Sequence, residues 1–203
     1  MVTDETRDPA GEQSATGVEG AFDAAATPGG TRPIVVLTGP PGAGKSTVGA
    51  ALAQRLGVEV VDTDEVVEQR AGVPVPLIFV DHGEQHFREL EKAAVADVVA
   101  AHRGVVALGG GAILDPDTQR LLDGHRVVFL DVSLRHAARR SGFDQGRPLL
   151  ALNPRGQWLQ LMADRRPIYE RVAWLRVDTD DKPVEQIVDE IVAALGDDET
   201  GER

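Results

Sequence analysis

A glycine-rich octapeptide near the start of the chain constrains the fold more than any other feature. Residues 39–46 read Gly-Pro-Pro-Gly-Ala-Gly-Lys-Ser and match the pattern G-x-x-x-x-G-K-[ST] in full. They follow a short apolar run at 34–37 and precede a helical pattern at 45–55. A loop of this kind, between a buried strand and a helix, curls its backbone N–H groups around a phosphate. The sequence therefore predicts a parallel sheet and a site for a nucleoside triphosphate.

Each residue type in this loop has a physical reason. Glycines let the backbone approach a phosphate with no side chain in the way, and the helix N-terminus adds unpaired N–H donors. We expect Lys45 to place its charge between the β- and γ-phosphates and Ser46 to offer its hydroxyl to Mg²⁺. The predicted nucleotide-binding residues of the loop are Gly42, Ala43, Gly44, Lys45, Ser46 and Thr47.

The rest of the chain alternates between strand-like and helix-like segments. Thr63 is in position to cap a short helix that reaches residue 70. Because strands that alternate with helices form parallel sheets, we predict an α/β fold of three layers, α/β/α, around a five-stranded parallel sheet. The further apolar runs lie at 58–61, 105–108, 127–130 and 174–177, and the further helical patterns at 84–101 and 184–195.

Composition limits the classes of partner. The 203 residues carry a net formal charge of −12 and include no cysteine. The acidic balance argues against nucleic acid and anionic membranes, which attract basic surfaces, and the lack of thiols fits the cytoplasm. No apolar run approaches the length of about 18 residues that a membrane span needs. Acidic residues concentrate at 1–32 and 196–203, so these ends are predicted to be disordered tails around a domain at 33–195.

Two carboxylates follow the second predicted strand, at the edge where ligands bind in open α/β sheets. Asp62 and Asp64 are expected to divide two tasks: one orients Mg²⁺ through its water, and the other accepts a hydrogen bond from an acceptor hydroxyl. The alternative is that one of them only caps the next helix. Asp131, directly after the apolar run at 127–130, is a second candidate for the metal.

A phosphate-binding loop alone leaves the function class open among small-molecule kinases, GTPases and ATP-driven machines. The chain lacks the N-K-x-D motif that reads guanine in GTPases. A segment at about 141–155, rich in glycine and proline, interrupts the alternation and is typical of a lid, with a plain surface loop as the alternative. A single domain with a lid favours phosphoryl transfer to a small acceptor.

Glycines and arginines complete the predicted acceptor side, which is the part of the site that would bind the molecule receiving the phosphoryl group. Gly109, Gly110 and Gly111 follow the third predicted strand and permit close approach of the backbone to a ligand, with a tight turn as the alternative. Arg88 and Arg165 are each suited to binding a carboxylate in bidentate fashion. Taken singly, either is better explained as a solvated helix arginine.

Together these motifs, in this order, resemble the shikimate kinase family from residue 34 to residue 195. The resemblance implies a lidded fold like that of nucleoside monophosphate kinases. It also implies transfer of the ATP γ-phosphate to the 3-hydroxyl of shikimate, in chorismate and aromatic amino-acid biosynthesis. The alternatives are a gluconate or nucleoside monophosphate kinase and a non-catalytic nucleotide-binding regulatory module. Beyond the phosphate-binding loop, the resemblance rests on Asp-Thr-Asp at 62–64, Gly-Glu-Gln-His-Phe-Arg-Glu at 83–89, Gly-Gly-Gly-Ala at 109–112, Arg-Pro-Leu-Leu at 147–150 and Arg-Arg-Pro-Ile-Tyr at 165–169.

The resemblance implies roles for residues of the acceptor side. Asp64 would hold the reacting hydroxyl and serve as its base, and Asp62 would lie near the metal. Arg88 and Arg165 would bind the substrate carboxylate. The backbone at Gly110 would meet a ring hydroxyl.

On the nucleotide side, Arg147 matches a lid arginine that contacts the ATP phosphates. Relatives often place an arginine against adenine after the fifth strand. Here the chain reads Asp180-Asp181-Lys182, so Lys182 is the cation available, and ammonium lacks the flat guanidinium face. The predicted catalytic residues are Lys45, Asp64 and Arg147, with ATP and Mg²⁺ as partners of a monomeric cytoplasmic enzyme.

Overall fold

A computed structural model describes residues 32–141 and 153–200 of the chain. Within them, five parallel strands form one sheet in the order β2-β3-β1-β4-β5. The strands are β1 Val35–Thr38, β2 Val60–Asp62, β3 Val105–Ala107, β4 Val127–Asp131 and β5 Leu175–Asp178. The helices are α1 Lys45–Leu56, α2 Thr63–Ala71, α3 Val75–Ala101, α4 Pro116–Leu121, α5 Leu134–Ser141, α6 Pro154–Val172 and α7 Val184–Thr200, and a 3₁₀ turn spans Ala112–Leu114.

The sheet is covered on both faces. Every residue of β1, β3 and β4 is buried, and successive residues of a strand point to opposite faces. Helices must therefore pack on both sides, as in other parallel sheets. This confirms the predicted three-layer α/β fold. In the part of the chain that the structure describes, no helix is long and apolar enough to cross a membrane.

Two helices differ from the prediction at residues that usually break helices. Helix α3 begins at Val75, nine residues before the predicted start at 84, and Gly83 interrupts it with φ 82° and ψ 172°. Helix α6 was not predicted, and it contains Pro167, which removes one backbone hydrogen bond. Burial of Trp158 and Tyr169 against the core offsets that loss.

The C-terminal boundary is also corrected. Helix α7 continues to Thr200, so residues 196–200, predicted to belong to an acidic tail, are helical. The apolar periodicity that supported the prediction ends at Leu195, whereas an ion pair between Asp198 Oδ2 and Arg126 Nε (2.8 Å) extends the contact with the domain. The predicted N-terminal tail up to residue 31, most of the predicted lid (142–152) and residues 201–203 lie outside the described residues.

Candidate active site

The phosphate-binding loop leads from the end of β1 into α1. Its backbone has positive φ at Gly39, Gly42 and Gly44, and a Cβ on Gly39 would lie 2.5 Å from the Leu130 carbonyl oxygen. Helix α1 has no side-chain cap and no acidic residue in its first turn. Its first N–H groups therefore remain available for an anion, as the motif predicts.

Lys45 faces both the loop and the predicted acceptor side. Its Nζ donates hydrogen bonds to the carbonyl oxygens of Gly39 (3.0 Å) and Pro40 (3.4 Å). Burial lowers the pKa of Lys45, and the charges of Asp64 and Asp62 act in the opposite direction. The lysine of the phosphate-binding loop is thus within electrostatic reach of both predicted carboxylates.

Asp62 links the phosphate-binding loop to helix α2. Its Oδ2 accepts a hydrogen bond from Ser46 Oγ (2.8 Å), and its Oδ1 accepts one from the Asp64 backbone N–H (3.0 Å). Asp62 is therefore the N-cap of α2, and the prediction that Thr63 caps this helix is wrong. Thr63 is the first helical residue, and its buried hydroxyl accepts the N–H of Gly109 (2.9 Å).

Asp131, the second candidate for the metal, is bound by two arginines. Arg166 donates to both Asp131 carboxylate oxygens at 2.7 Å, and Arg176 adds a contact at 2.6 Å. Asp62, not Asp131, lies beside Ser46. Hydroxyl and carboxylate oxygens suit Mg²⁺, which otherwise takes phosphate oxygens and water, so Ser46 and Asp62 fit this ion. The described ranges hold no cluster of three or more His, Cys, Asp or Glu suited to a metal.

Asp64 is half-buried and carries an unsatisfied oxygen. No hydrogen-bond partner for its buried Oδ1 exists among the described residues. Burial, followed by the charges of Asp62 and Glu91, raises the pKa of Asp64 to about 6, against the opposing effect of Lys45. A carboxylate of this kind is suited to accept a proton near neutral pH.

Glu91 is a site residue that we did not predict from the sequence. It lies on α3, is 3% exposed, and has a buried Oε1 without a partner in the described ranges. Its Oε2 accepts a hydrogen bond from Arg88 at 2.5 Å, and burial raises its pKa. A signal was present, because a glutamate interrupts the apolar face of α3 between Phe87 and Ala94.

The three glycines after β3 pass close to the other site residues. A Cβ on Gly109 would collide with the Asp64 carboxylate and lie 2.6 Å from Glu91 Oε1. A Cβ on Gly111 would collide with the Arg88 guanidinium, and one on Gly110 would lie 3.9 Å from Lys45 Nζ. The loop at 109–111 therefore brings the acceptor-side residues to the phosphate-binding loop.

Two arginines reach this glycine loop from different helices. Arg88, on α3, is oriented by Glu91 and by Glu84, whose Oε1 lies 3.2 Å from its Nη2. Arg165, on α6, donates from Nη1 to the Gly110 carbonyl oxygen at 2.8 Å. The buried Tyr169 hydroxyl donates to the same oxygen, also at 2.8 Å. Arg88 and Arg165, which are predicted to bind one ligand together, thus lie against adjacent residues of the same loop.

Two cations lie at the loop after β5, where Lys182 is predicted to bind the nucleotide. Lys182 is held by Glu190 on α7, with Nζ 2.7 Å from Oε1. A guanidinium reaches the same loop from α5 instead, because Arg140 Nη2 donates to the Thr179 carbonyl oxygen at 2.7 Å. Arg140 Nη1 also lies 3.4 Å from the Gly42 carbonyl oxygen of the phosphate-binding loop. Arg147, the predicted lid arginine, lies outside the described residues.

Comparison with known proteins places this chain in a family. The family model described as shikimate kinase matches residues 41–196. The chain belongs to the shikimate kinase family. Shikimate kinase of Thermobifida fusca is 52% identical over 165 residues, which cover 81% of this chain and 96% of the relative. Shikimate kinase of Salinispora arenicola is 53% identical over 163 residues, or 80% of this chain and 98% of the relative.

Solved structures agree with this membership of the shikimate kinase family. Shikimate kinase from Acinetobacter baumannii in complex with shikimate has a TM-score of 0.76 and 31% identity, covering 82% of this chain and 94% of that one. A gluconokinase from Sinorhizobium meliloti has a TM-score of 0.52 and 24% identity, covering 82% of this chain and 93% of that one. The second likeness shows the common fold alone.

Proposed function

We propose that this protein is a shikimate kinase, which transfers the γ-phosphate of ATP to the 3-hydroxyl of shikimate. One observation carries the proposal: Asp64, Arg88 and Arg165 meet around the glycine loop at 109–111, next to Lys45. Family membership supports the same reaction, as does the likeness to a shikimate complex.

The acceptor side offers complementary groups for a hydroxylated carboxylic acid. Arg88 and Arg165 supply forked donors for the carboxylate of shikimate. Arg165 currently donates to a neutral carbonyl, that of Gly110, and a carboxylate is a stronger acceptor. The Oδ1 of Asp64, which has no hydrogen-bond partner among the described residues, is the acceptor that the 3-hydroxyl needs.

The reaction requires one bond to form and one to break. The 3-hydroxyl oxygen attacks the γ-phosphorus, the bond to the β,γ-bridging oxygen breaks, and the hydroxyl proton passes to the Asp64 carboxylate. Lys45 and the N–H groups of the phosphate-binding loop stabilise the negative charge of the transferring group, so positioning and electrostatics supply most of the acceleration. Ser46 and Asp62 would hold Mg²⁺, which neutralises phosphate charge when bound.

The nucleotide side combines a described arginine with one that lies outside the described residues. Arg140 contacts both the phosphate-binding loop and the loop after β5, which supports a role for its guanidinium beside a bound nucleotide. Its flat face suits a purine base better than the ammonium of Lys182 does. Arg147 is proposed to contact the ATP phosphates on the basis of the family motif at 147–150.

An ADP-release assay tests the function. Shikimate should stimulate turnover far above buffer, whereas gluconate and nucleoside monophosphates should not. Asp64→Asn should abolish turnover and leave ATP binding nearly unchanged, while Glu65→Gln, at an exposed position on the same helix, should keep activity. Turnover with another acceptor but not with shikimate would refute the assignment. A monomeric state and a cytoplasmic location stay predictions from the sequence, and size-exclusion chromatography tests the first.

A further inference from the structure

A buried histidine joins helix α5 to the loop after β5. His136 is 8% exposed, and its ring nitrogens face two carboxylates: Nδ1 lies 3.1 Å from Asp180 Oδ2, and Nε2 lies 2.9 Å from Asp181 Oδ1. Ser133, directly before α5, donates its backbone N–H to Asp180 Oδ1 at 3.0 Å, and its hydroxyl oxygen lies 3.0 Å from His136 Nδ1. Both aspartates of the loop are thus attached to the start of α5.

The backbone of this loop has an unfavourable conformation. Asp181 has φ 52°, the left-handed region, and it is the one residue other than glycine with positive φ in the described ranges. Such a conformation costs free energy in any residue with a Cβ and is found where neighbouring contacts enforce it. The Asp181 side chain is 81% exposed, so burial does not hold it. Its contact with His136 Nε2 ties this side chain to α5.

This loop borders the nucleotide side of the active site. Thr179 in the loop is joined to Gly42 of the phosphate-binding loop through the guanidinium of Arg140. The proposed acceptor residues meet around the glycine loop after β3, on one side of β1 in the sheet, and Arg165 reaches that loop from α6. The loop at 179–183 follows β5, on the other side of β1. A nucleotide with its phosphates at 39–46 therefore extends its nucleoside over β4 and β5, towards Thr179.

We propose that His136 is a positioning residue for ATP: through Asp180 and Asp181 it holds the loop at 179–183 in the conformation that receives the nucleoside. The inference rests on the proposed function, because ATP is taken as the nucleotide. Since the acceptor residues meet around the glycine loop after β3, on the opposite side of β1 from the loop after β5, loss of His136 affects ATP binding and leaves shikimate binding unchanged.

Steady-state kinetics of a His136→Ala variant tests the proposal. The KM for ATP should rise about five- to tenfold, the effect expected from losing one side-chain hydrogen bond, while kcat and the KM for shikimate stay within about twofold. His125→Ala is the matched control, because His125 lies just before β4, at the opposite end of that strand from His136. Its KM for ATP should equal that of the wild type.

Three variants of Asp181 distinguish a positioning role from a general loss of stability. Asp181→Asn keeps an acceptor and tolerates the left-handed region, so its KM for ATP should stay within about threefold of the wild-type value. Asp181→Gly loses the acceptor but removes the strain, whereas Asp181→Ala loses the acceptor and keeps the strain. The expected order of KM for ATP is therefore Asn, then Gly, then Ala, with Ala the highest.

The outcomes separate this proposal from the proposed function. A folded His136→Ala protein with unchanged KM for ATP would overturn it, as would an equal rise in both KM values. Equal KM values for the three Asp181 variants would also overturn it. If the wild type does not turn over shikimate, the proposed function fails, and calorimetric titration of ATP into wild type and His136→Ala then tests the positioning role. Five- to tenfold weaker ATP binding supports that role, and equal binding refutes it.

Discussion

Replacing Asp64 by asparagine is expected to stabilise the ligand-free protein while it removes kinase activity. Burial and the neighbouring carboxylates Asp62 and Glu91 raise the pKa of Asp64 from 3.8 to about 6. Between these two values the native state binds more protons than the unfolded chain, so the free energy of unfolding falls as the pH rises through this window. Asparagine has nearly the same shape and does not ionise, so the free energy of unfolding of the variant does not fall in this way.

The magnitude follows from the size of the shift. About two pKa units correspond to about 3 kcal/mol of differential interaction, at about 1.4 kcal/mol per unit. Part of the Asp64 side chain touches water, which screens its charge, so we expect a gain of about 2 kcal/mol above pH 6. For a protein of this size, that gain raises Tm by roughly 4–8 °C. Near pH 4 the aspartate is mostly protonated in the native state and about half protonated when unfolded, so most of the gain disappears.

Urea unfolding of both proteins at about pH 7.5 and about pH 4 measures this difference, with EDTA present and nucleotide absent. Glu65→Gln is the control, because it removes one charge from the adjacent, exposed position of α2, and we expect a change of at most about 0.5 kcal/mol. Equal stability of Asp64→Asn and wild type at pH 7.5 would refute the inferred desolvation of Asp64. A gain of the same size at both pH values would show that it does not arise from ionisation.

Three further substitutions test other contacts of the site. Tyr169→Phe leaves the Gly110 carbonyl with one donor fewer, so the KM for shikimate should rise about fivefold with the KM for ATP unchanged; no change in either KM would contradict this role. Gly109→Ala places a methyl group against the Asp64 carboxylate, so we expect loss of most shikimate turnover with ATP affinity retained. A near-normal kcat/KM for shikimate would show instead that the loop at 109–111 shifts to accommodate the methyl group. Asp131→Asn weakens its pairs with two arginines, and the free energy of unfolding should fall by about 2 kcal/mol in urea titrations; an unshifted midpoint would mean that the pairs contribute little.

Much of this architecture was predictable because its signals are local. The phosphate-binding motif and the buried strands are contiguous in sequence, so their positions follow from a few adjacent residues. The order of Asp62, Arg88 and Gly110 along the chain also predicts the acceptor side, through the resemblance to one family. Residues that follow neighbouring parallel strands lie at the same edge of the sheet, so their positions in the sequence are enough to predict that they are close together.

The unpredicted features depend on contacts between distant segments. Helix α6 continues through Pro167 because tertiary burial outweighs a local helix-breaking preference. Arg140, 38 residues before Asp178, reaches the loop after β5 from another helix, and no spacing rule indicates this. Glu91 has its partner three residues away, but its burial against the glycine loop is visible only in three dimensions.

The place of β1 at the centre of the sheet has an evolutionary consequence. Most groups that meet the acceptor follow the two strands on one side of β1, with Arg165 reaching them from α6, and groups that border the nucleoside follow the two strands on the other side. Apart from those on α6, mutations on one side of β1 need not alter the other side, so a new acceptor specificity is accessible without changing the residues that border ATP. Directed evolution towards other hydroxy acids should therefore confine its randomised positions to the segments after β2 and β3 and to the faces of α3 and α6 that meet them.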